Sequence, residues 1–317
     1  MKTAQHPWWA LTRPPNSDTK MKPCTMTNTQ KGTKGEAHVI ILKNQSLSLS
    51  ILDPVAEKDR LGVRYCTGGF IFQIDDLMGS PARGILLSGP TFPESYNLHD
   101  GQGAPDAFQP HLVVQQDPDG TPSTVLGIGI GLIDAKANVV TDRCVWDITR
   151  TADSVRFRTT QAAGAWQFEL ERIVSLRGRT IRSETRVTNT GKSHVPFQWY
   201  PHPFFPHYPT GECCKVSIPL AVPDCPGYEM LPNGFIGMRN FPWKPTESFF
   251  QLVGFSGHAP ITFTQKHPVT SLVTVTIDYL PSRLPIWGNK NTFSFEPYLE
   301  HVLQPSESTQ WSLTYDF

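Results

Sequence analysis

Short segments rich in β-branched and aromatic residues recur along most of the sequence, with turn-forming residues between them. They include HVIIL, SVRFRTT, WQFELERIV and LVTVTID, whose length and composition are typical of β-strands. No window of about 12 residues or more has the apolar spacing of an amphipathic helix. The 29 prolines interrupt most candidate windows, because proline removes a backbone donor and breaks a helix. We therefore predict an all-β protein built from antiparallel strands.

The segment TIRSETRVTNTG shows the alternation expected of a strand with one buried face. Successive side chains on a strand point to opposite faces, so residues two apart share a face. We expect four residues to face the core and three charged residues to face water or a groove: Ile181, Ser183, Thr185 and Val187 on the first face, Arg182, Glu184 and Arg186 on the second.

The first 35 residues differ in character from the remainder of the chain. They are polar, rich in Thr, Lys, Pro and Asn, and have no sustained apolar period, so they bury too little surface to offset the entropy of ordering. From residue 36 to residue 317 the strand pattern continues without a linker or a repeat. We predict a flexible N-terminal tail, 1–35, and a single domain, 36–317.

Charge and hydropathy exclude several classes of protein. Lys plus Arg and Asp plus Glu both number 28, so no net field attracts nucleic acid or an anionic membrane surface. No apolar run approaches the ~20 residues needed to span a bilayer, and the N-terminus lacks the apolar stretch of a secretory signal. The six cysteines are irregularly spaced, which favours reduced thiols. We expect a cytoplasmic protein without a nucleic-acid or membrane partner.

Two histidines stand five positions apart in the stretch QWYPHPFFPHYPTGECC, at 202 and 207. Imidazole suits a metal site, an acid–base pair or a satisfied structural role. On an extended strand these positions lie on opposite faces, so shared metal ligation requires the intervening prolines to turn the chain. We expect no metal site here. His207, between Pro206 and Pro209, is interpreted as part of a rigid turn or the edge of a groove.

Three C-terminal stretches carry a resemblance to a known family: RVTNTGKSHVPFQWYPHPFF (186–205), FSFEPYLEHVL (293–303) and QPSESTQWSLTYDF (304–317). They resemble the aldose 1-epimerases, which include galactose mutarotases and hexose-6-phosphate mutarotases. The family motif V-x-N-x-G followed by H-P-Y-F is similar to Val187, Asn189 and Gly191 followed by His202. Its near-terminal Glu-Pro is similar to Glu296 and the proline that follows it. The motifs agree in order and separation.

The resemblance implies a fold and a reaction. The fold is a β-supersandwich of two large, mainly antiparallel sheets with an open sugar groove on one of them. The reaction is the interconversion of the α and β anomers of an aldose, with no cofactor. Glu296 is expected to take the proton of the anomeric hydroxyl, and His202 to protonate the ring oxygen. The expected partner is a small sugar, an aldohexose that is free or phosphorylated.

Further site residues follow from the resemblance less directly. The family carries an upstream histidine that helps to hold the sugar, for which His99 comes first and His111 second. A substrate arginine and a sugar-recognising aspartate are also expected, and an aromatic side chain at 199 is placed either against the sugar or in the core. The candidates for binding are Arg64, Arg83, His111, Trp199 and Asp224.

Two other classes of protein remain open at this point. A non-catalytic carbohydrate-binding protein uses the same kind of groove, and a metal-dependent cupin-like enzyme is a third alternative. A binding protein has no need for both a proton donor and a proton acceptor at 202 and 296. The choice between a monomer and a homodimer also stays open, and so does whether a phosphate is bound. The candidate cations for a phosphate are Arg64, Arg83, Arg239 and Lys244.

Overall fold

The computed structural model describes residues 38–58, 62–88 and 102–317. The predicted tail, 1–35, and His99 lie outside these residues. The described part of the chain is all β-strand, turn and loop, and contains no helix long and apolar enough to cross a membrane. The prediction of an all-β, antiparallel protein is confirmed.

The strands are numbered along the chain. The first half of the chain contributes β1 (Val39–Lys43), β2 (Leu47–Leu52), β3 (Ile71–Asp76), β4 (Arg83–Gly84), β5 (Asp106–Gln109), β6 (Leu112–Gln116), β7 (Pro122–Gly127), β8 (Gly131–Asp134), β9 (Val139–Arg143), β10 (Asp147–Arg150), β11 (Ser154–Ala163) and β12 (Trp166–Arg177). The second half contributes β13 (Thr180–Asn189), β14 (Val195–Pro201), β15 (Phe205–Pro206), β16 (Cys214–Val216), β17 (Leu220–Ala221), β18 (Tyr228–Met230), β19 (Ile236–Met238), β20 (Ser248–Phe255), β21 (Ile261–His267), β22 (Ser271–Ile277), β23 (Leu284–Asn289), β24 (Thr292–Phe295), β25 (Leu299–Leu303) and β26 (Ser308–Asp316).

The fold is built on one large sheet. Its eight strands run in the order β10-β11-β12-β13-β26-β22-β21-β16. Its longest strands, β11, β12 and β13, are consecutive antiparallel neighbours. Strand β26 lies between β13 and β22 and pairs with both.

The strands that face this sheet form several short sheets instead of one continuous second sheet. Two of these sheets, with the strand orders β25-β14-β5 and β15-β24-β23-β20-β17, contain residues of the candidate site. Prolines interrupt the ladders at the junctions: β14 ends at Pro201, and Pro297 separates β24 from β25. Proline has no N–H to donate, so a ladder stops or shifts there. This explains why the predicted second large sheet is divided.

Aromatic side chains join the two layers. Trp311 on β26 stacks on Phe197 of β14, with ring centroids 5.7 Å apart. Phe263 on β21 stacks on Phe295 of β24 at 4.4 Å and an interplanar angle of 8°. All four residues are at most 2% exposed and belong to one core cluster. Burial of such large apolar surfaces stabilises the layered arrangement.

The alternation read from residues 180–189 matches strand β13. Ile181, Ser183, Thr185 and Val187 are buried, and Arg182 and Arg186 are exposed. Glu184 is half-buried, since it forms an ion pair with Arg182. The period-2 pattern therefore identified the core face of this strand correctly.

Candidate active site

Strand β14 has two faces. One packs into the core, and we call the other the groove face. Gln198, Tyr200 and His202, which lie two residues apart along the chain, share the groove face. Phe197 and Trp199 alternate with them and are buried in the core cluster. The period of two that governs strand side chains thus brings a polar and an aromatic set together on one surface.

The ring of His202 is held firmly. Its backbone N–H donates a hydrogen bond to Pro105 O at 2.8 Å, which fixes the chain immediately after β14. The imidazole stacks on Phe204 at 4.4 Å and 16°, and Trp287 meets it edge-on at 5.5 Å. The residue is only 1% exposed, so its position is set by packing on both sides.

Glu296 occupies the interruption between β24 and β25. Its backbone N–H donates to Pro285 O at 2.9 Å. The carbonyl of the next residue, Pro297, accepts a hydrogen bond of 2.8 Å from the hydroxyl of Tyr279. These two bonds fix the backbone on either side of the carboxyl group, which is 5% exposed as a residue. The proline that stops the ladder therefore lies beside the acidic side chain.

His202 and Glu296 meet on the groove face. Nε2 of the imidazole lies 3.2 Å from Oε1 of the carboxyl group. Burial raises the pKa of Glu296 to about 8, although the guanidinium groups of Arg64 and Arg283 act in the opposite direction. A carboxyl group that titrates near neutral pH, in contact with an imidazole, can both accept and donate a proton under physiological conditions.

This pKa predicts how Glu296→Gln changes stability. Because the folded-state pKa is raised from 4.5 to about 8, the contribution of Glu296 to stability is complete below about pH 4.5 and is lost as the pH rises through 8. We expect the variant to match wild type near pH 4.5 and to become progressively more stable than wild type as the pH rises to 8. Urea unfolding at pH 4.5, 6 and 8 measures this, and an equal or lower stability of the variant at pH 8 contradicts it.

Two tyrosines and two arginines lie next to the pair. Tyr200 and Tyr298 stack with centroids 4.3 Å apart, and the guanidinium of Arg283 lies 3.9 Å above the Tyr298 ring. Arg283 also donates to Gln198 Oε1 at 2.8 Å. On the other side, Arg64 Nη2 lies 3.5 Å from the Tyr200 hydroxyl. The stacked tyrosines therefore have one cation at each side, and both cations influence the Glu296 pKa.

The structure separates the predicted polar binding residues. Arg64 is at the site. Arg83 is exposed on β4, where it donates to Val269 O at 3.2 Å. The Asp224 side chain is 95% exposed and forms an ion pair with Arg239 at 3.2 Å. Such exposure places Asp224 in solvent and not beside the buried pair, and of the two predicted arginines only Arg64 lies next to the pair.

Two of the remaining predicted residues, His111 and Trp199, make contacts that support the structure. His111 Nε2 donates to Val63 O at 2.9 Å, next to the arginine of the groove, so it holds the backbone of that segment. Trp199 is fully buried and packs against Trp311 at 5.1 Å; it is a core residue and not a sugar-stacking surface, because it points away from the groove face. His99 lies outside the described residues and keeps the status of a prediction.

His207 has a different partner from His202. Its Nε2 donates to Asn289 O at 2.6 Å, its ring packs edge-on against Phe241, and burial lowers its pKa to about 4. The group is thus a neutral, hydrogen-bonded side chain that anchors the turn after β15. Within residues 38–58, 62–88 and 102–317, no three His, Cys, Asp or Glu side chains are grouped as metal ligands.

Sequence reasoning missed four groove residues. Tyr65 meets the His202 ring edge-on at 6.4 Å, and Trp287, Arg283 and Tyr298 surround the pair. Of these, only Tyr298 had a local signal, because it lies two residues after Glu296 and shares its face. The other three approach from strands and loops that the sequence order does not place near the pair.

The site combines the features needed for proton transfer to a polar ligand. A carboxyl group and an imidazole are in contact, both nearly excluded from water. Arg64 and Arg283 favour the charged form of the carboxyl group. Aromatic rings form the walls, and such rings pack on the apolar faces of ring-shaped ligands. Exclusion of water strengthens each of these electrostatic interactions.

No family model matches the sequence, and no curated protein matches it.

The fold does have relatives among solved structures. A galactose mutarotase related enzyme from Lactobacillus acidophilus superposes with a TM-score of 0.56 and 10% identity, over 88% of this chain and 97% of the other. A protein from Synechocystis sp. PCC 6803 gives 0.53 and 16%, over 92% and 99%. A galactose mutarotase-like protein from Lactobacillus casei gives 0.52 and 14%, over 88% and 99%. At such identities the comparison establishes a shared fold.

Proposed function

We propose that this chain, which has the galactose mutarotase-like fold, interconverts the α and β anomers of an aldose. The observation that carries the proposal is the contact of 3.2 Å between His202 Nε2 and Glu296 Oε1 on the buried groove face. A proton donor and a proton acceptor at this separation can act together on two oxygens bonded to the same carbon. The anomeric carbon of a pyranose carries such a pair, the hydroxyl oxygen and the ring oxygen.

The reaction requires one proton to leave and one to arrive. Glu296 takes the proton of the anomeric hydroxyl while His202 delivers a proton to the ring oxygen, and the bond between the anomeric carbon and the ring oxygen breaks. The aldehyde then rotates about the adjacent carbon–carbon bond. Ring closure on the opposite face returns both protons with the roles exchanged. Atoms and charges balance, since the substrate and product are isomers.

The pKa of Glu296 supports this exchange of roles. An ordinary carboxyl group at 4.5 is a weak base toward an alcohol, whereas a carboxyl group at about 8 is a stronger one. The 3.2 Å contact between Nε2 and Oε1 is also short enough for a proton to pass between the two side chains. Positioned acid and base groups of this kind accelerate proton transfer by roughly 10²-fold to 10⁴-fold each.

Magnetisation-exchange NMR on a panel of free and 6-phosphorylated hexoses tests the proposal. We expect the protein to accelerate exchange between the α and β resonances of at least one sugar, which also identifies the substrate. Ligand broadening without faster exchange would instead assign the chain to the carbohydrate-binding proteins. Neither broadening nor faster exchange with any sugar in the panel would contradict both functions.

A histidine variant tests the role of the acid. We expect His202→Asn to lower kcat at least about a hundredfold, because asparagine keeps a polar side chain but cannot deliver a proton. The matched control is His301→Asn on β25, whose imidazole contacts Glu307 at 3.4 Å, away from the groove face. A higher KM with an unchanged kcat for His202→Asn would make His202 a binding residue instead.

A further inference from the structure

Strand β20 presents two large apolar side chains to solvent. Phe250 is 58% exposed and Leu252 is 48% exposed. They lie two residues apart and therefore share one face of the strand. Val253 on the opposite face is 2% exposed and belongs to the core. Exposed apolar side chains grouped in this way mark binding surfaces more often than single ones do.

The register of the sheet connects this pair to the acid–base residues. Phe250 is directly opposite Trp287, whose ring contacts His202, and Leu252 is directly opposite Pro285. Pro285 in turn accepts the backbone hydrogen bond of Glu296. Residues opposite each other in an antiparallel pair point to the same face. The exposed pair therefore continues the groove face.

The distance from the acid–base pair corresponds to two strand spacings. Three neighbouring strands are involved: β24, whose extension carries Glu296, then β23 with Pro285, then β20 with Leu252. Neighbouring strands lie about 4.8 Å apart, so the backbone of Glu296 is roughly 10 Å from β20. That span is longer than one pyranose ring. A ligand that reaches both must therefore be longer than a monosaccharide.

The chemistry of this part of the groove face favours a neutral, hydroxylated ligand. Strands β20 and β23, with the sequences SFFQLVGF and LPIWGN, contain no charged residue. Ser248, two residues before Phe250, is exposed on the same face of β20. Its hydroxyl thus lies in an otherwise apolar surface, which suits a sugar better than a purely apolar ligand.

We propose that Phe250 and Leu252 form a second subsite that binds the non-reducing ring of a reducing disaccharide whose free anomeric carbon lies at His202 and Glu296. The inference rests on the proposed mutarotase function and defines its substrate class. The ring of Phe250 stacks on the apolar face of the outer sugar, and Leu252 supports the linkage between the two rings.

Phe250→Ala tests the subsite against matched substrates. We expect its KM for a reducing disaccharide such as maltose to rise about tenfold, the effect of losing roughly 1.4 kcal/mol of stacking. Its KM for glucose and its kcat for both sugars should stay at wild-type values, since Phe250 does not touch the acid–base pair. Leu272→Ala on β22, 47% exposed in the eight-stranded sheet, is the control and should change the kinetics with neither sugar.

Binding titrations by NMR separate this inference from the proposed function. If wild type binds but does not epimerise either sugar, selective loss of disaccharide affinity in Phe250→Ala still supports the subsite. Equal effects of Phe250→Ala on both sugars, or no preference of wild type for the disaccharide, would overturn it. So would a Phe250→Ala variant that changes from dimer to monomer in light scattering with sugar binding intact, because the patch would then be an interface between two copies.

Discussion

Glu296→Gln is expected to reduce anomer exchange by about a thousandfold or more, while the protein remains folded. The substitution keeps the size and the planar shape of the side chain but removes the group that accepts the proton. Since Oε1 is the atom that faces His202 Nε2 at 3.2 Å, the amide can occupy the same position without a new cavity. The loss should appear in kcat, because the sugar still fits the groove.

The comparison is made by magnetisation exchange at a saturating concentration of the sugar that wild type accepts. Glu184→Gln on β13 serves as the control, because Glu184 pairs with Arg182 in the eight-stranded sheet and should leave exchange unchanged. A Glu296→Gln protein that retains a tenth of the wild-type rate would remove Glu296 from the role of base. The proposed mechanism would then be wrong, whatever the affinity for sugar.

Arg172→Met is expected to have the largest effect on stability. Arg172 is 1% exposed and forms an ion pair with Asp106, which lies in β5. Its guanidinium also donates to Gly68 O at 2.9 Å and to the hydroxyls of Ser183 and Thr185 at 3.1 and 3.2 Å. Removal of one partner of a buried ion pair leaves an uncompensated charge, so we expect a loss of about 3–5 kcal/mol at pH 8.

The pH dependence of that loss identifies its cause. Burial raises the pKa of Asp106 to about 6, although Arg172 acts to lower it. Without the arginine the pKa rises further, and the carboxyl group takes up a proton as the pH falls, so the destabilisation of Arg172→Met should be smaller at pH 5 than at pH 8. The double variant Asp106→Asn with Arg172→Met should recover part of the loss.

Urea unfolding of wild type, Arg172→Met and the double variant at pH 5 and pH 8 measures these effects. Arg186→Met is the surface control, since Arg186 is exposed on β13, one strand away, and should change stability by no more than about 0.5 kcal/mol. A destabilisation of Arg172→Met that is independent of pH would show that lost packing, and not the charge of Asp106, is responsible.

Local patterns were sufficient to predict the strands, and the resemblance in the C-terminal motifs suggested His202 and Glu296, which lie in contact in the structure. The alternation at 181–187 identified the core face of β13, and a period of two brings Tyr200 to the same face as His202. The motifs around His202 and Glu296 placed both on strands or strand ends. Their contact across the sheet agrees with the pairing of β14 and β25, in which Trp199 lies opposite Leu299.

Long-range contacts could not be predicted in the same way. Arg64 was one of two candidate arginines that only the resemblance suggested, and Tyr65 was missed; both precede His202 by more than a hundred residues, and no periodicity indicates that they lie beside it. Arg283 and Trp287 reach the site because β23 is the neighbour of β24, which is a property of the tertiary fold. Asp224 was a candidate only because of its order in the chain. Its exposed side chain forms an ion pair with Arg239 instead.

The position of β26 has a consequence for how the protein is made. Strand β26 joins β13 to β22 in the middle of the eight-stranded sheet, yet it is synthesised after every other strand described. During translation the two halves of the sheet therefore have open edges until residues 308–316 leave the ribosome, and Trp311 cannot yet cover Phe197. Unpaired edges and uncovered aromatic surface make nascent chains prone to association. Chaperones that bind extended apolar segments are thus expected to matter most before residues 308–316 have emerged from the ribosome.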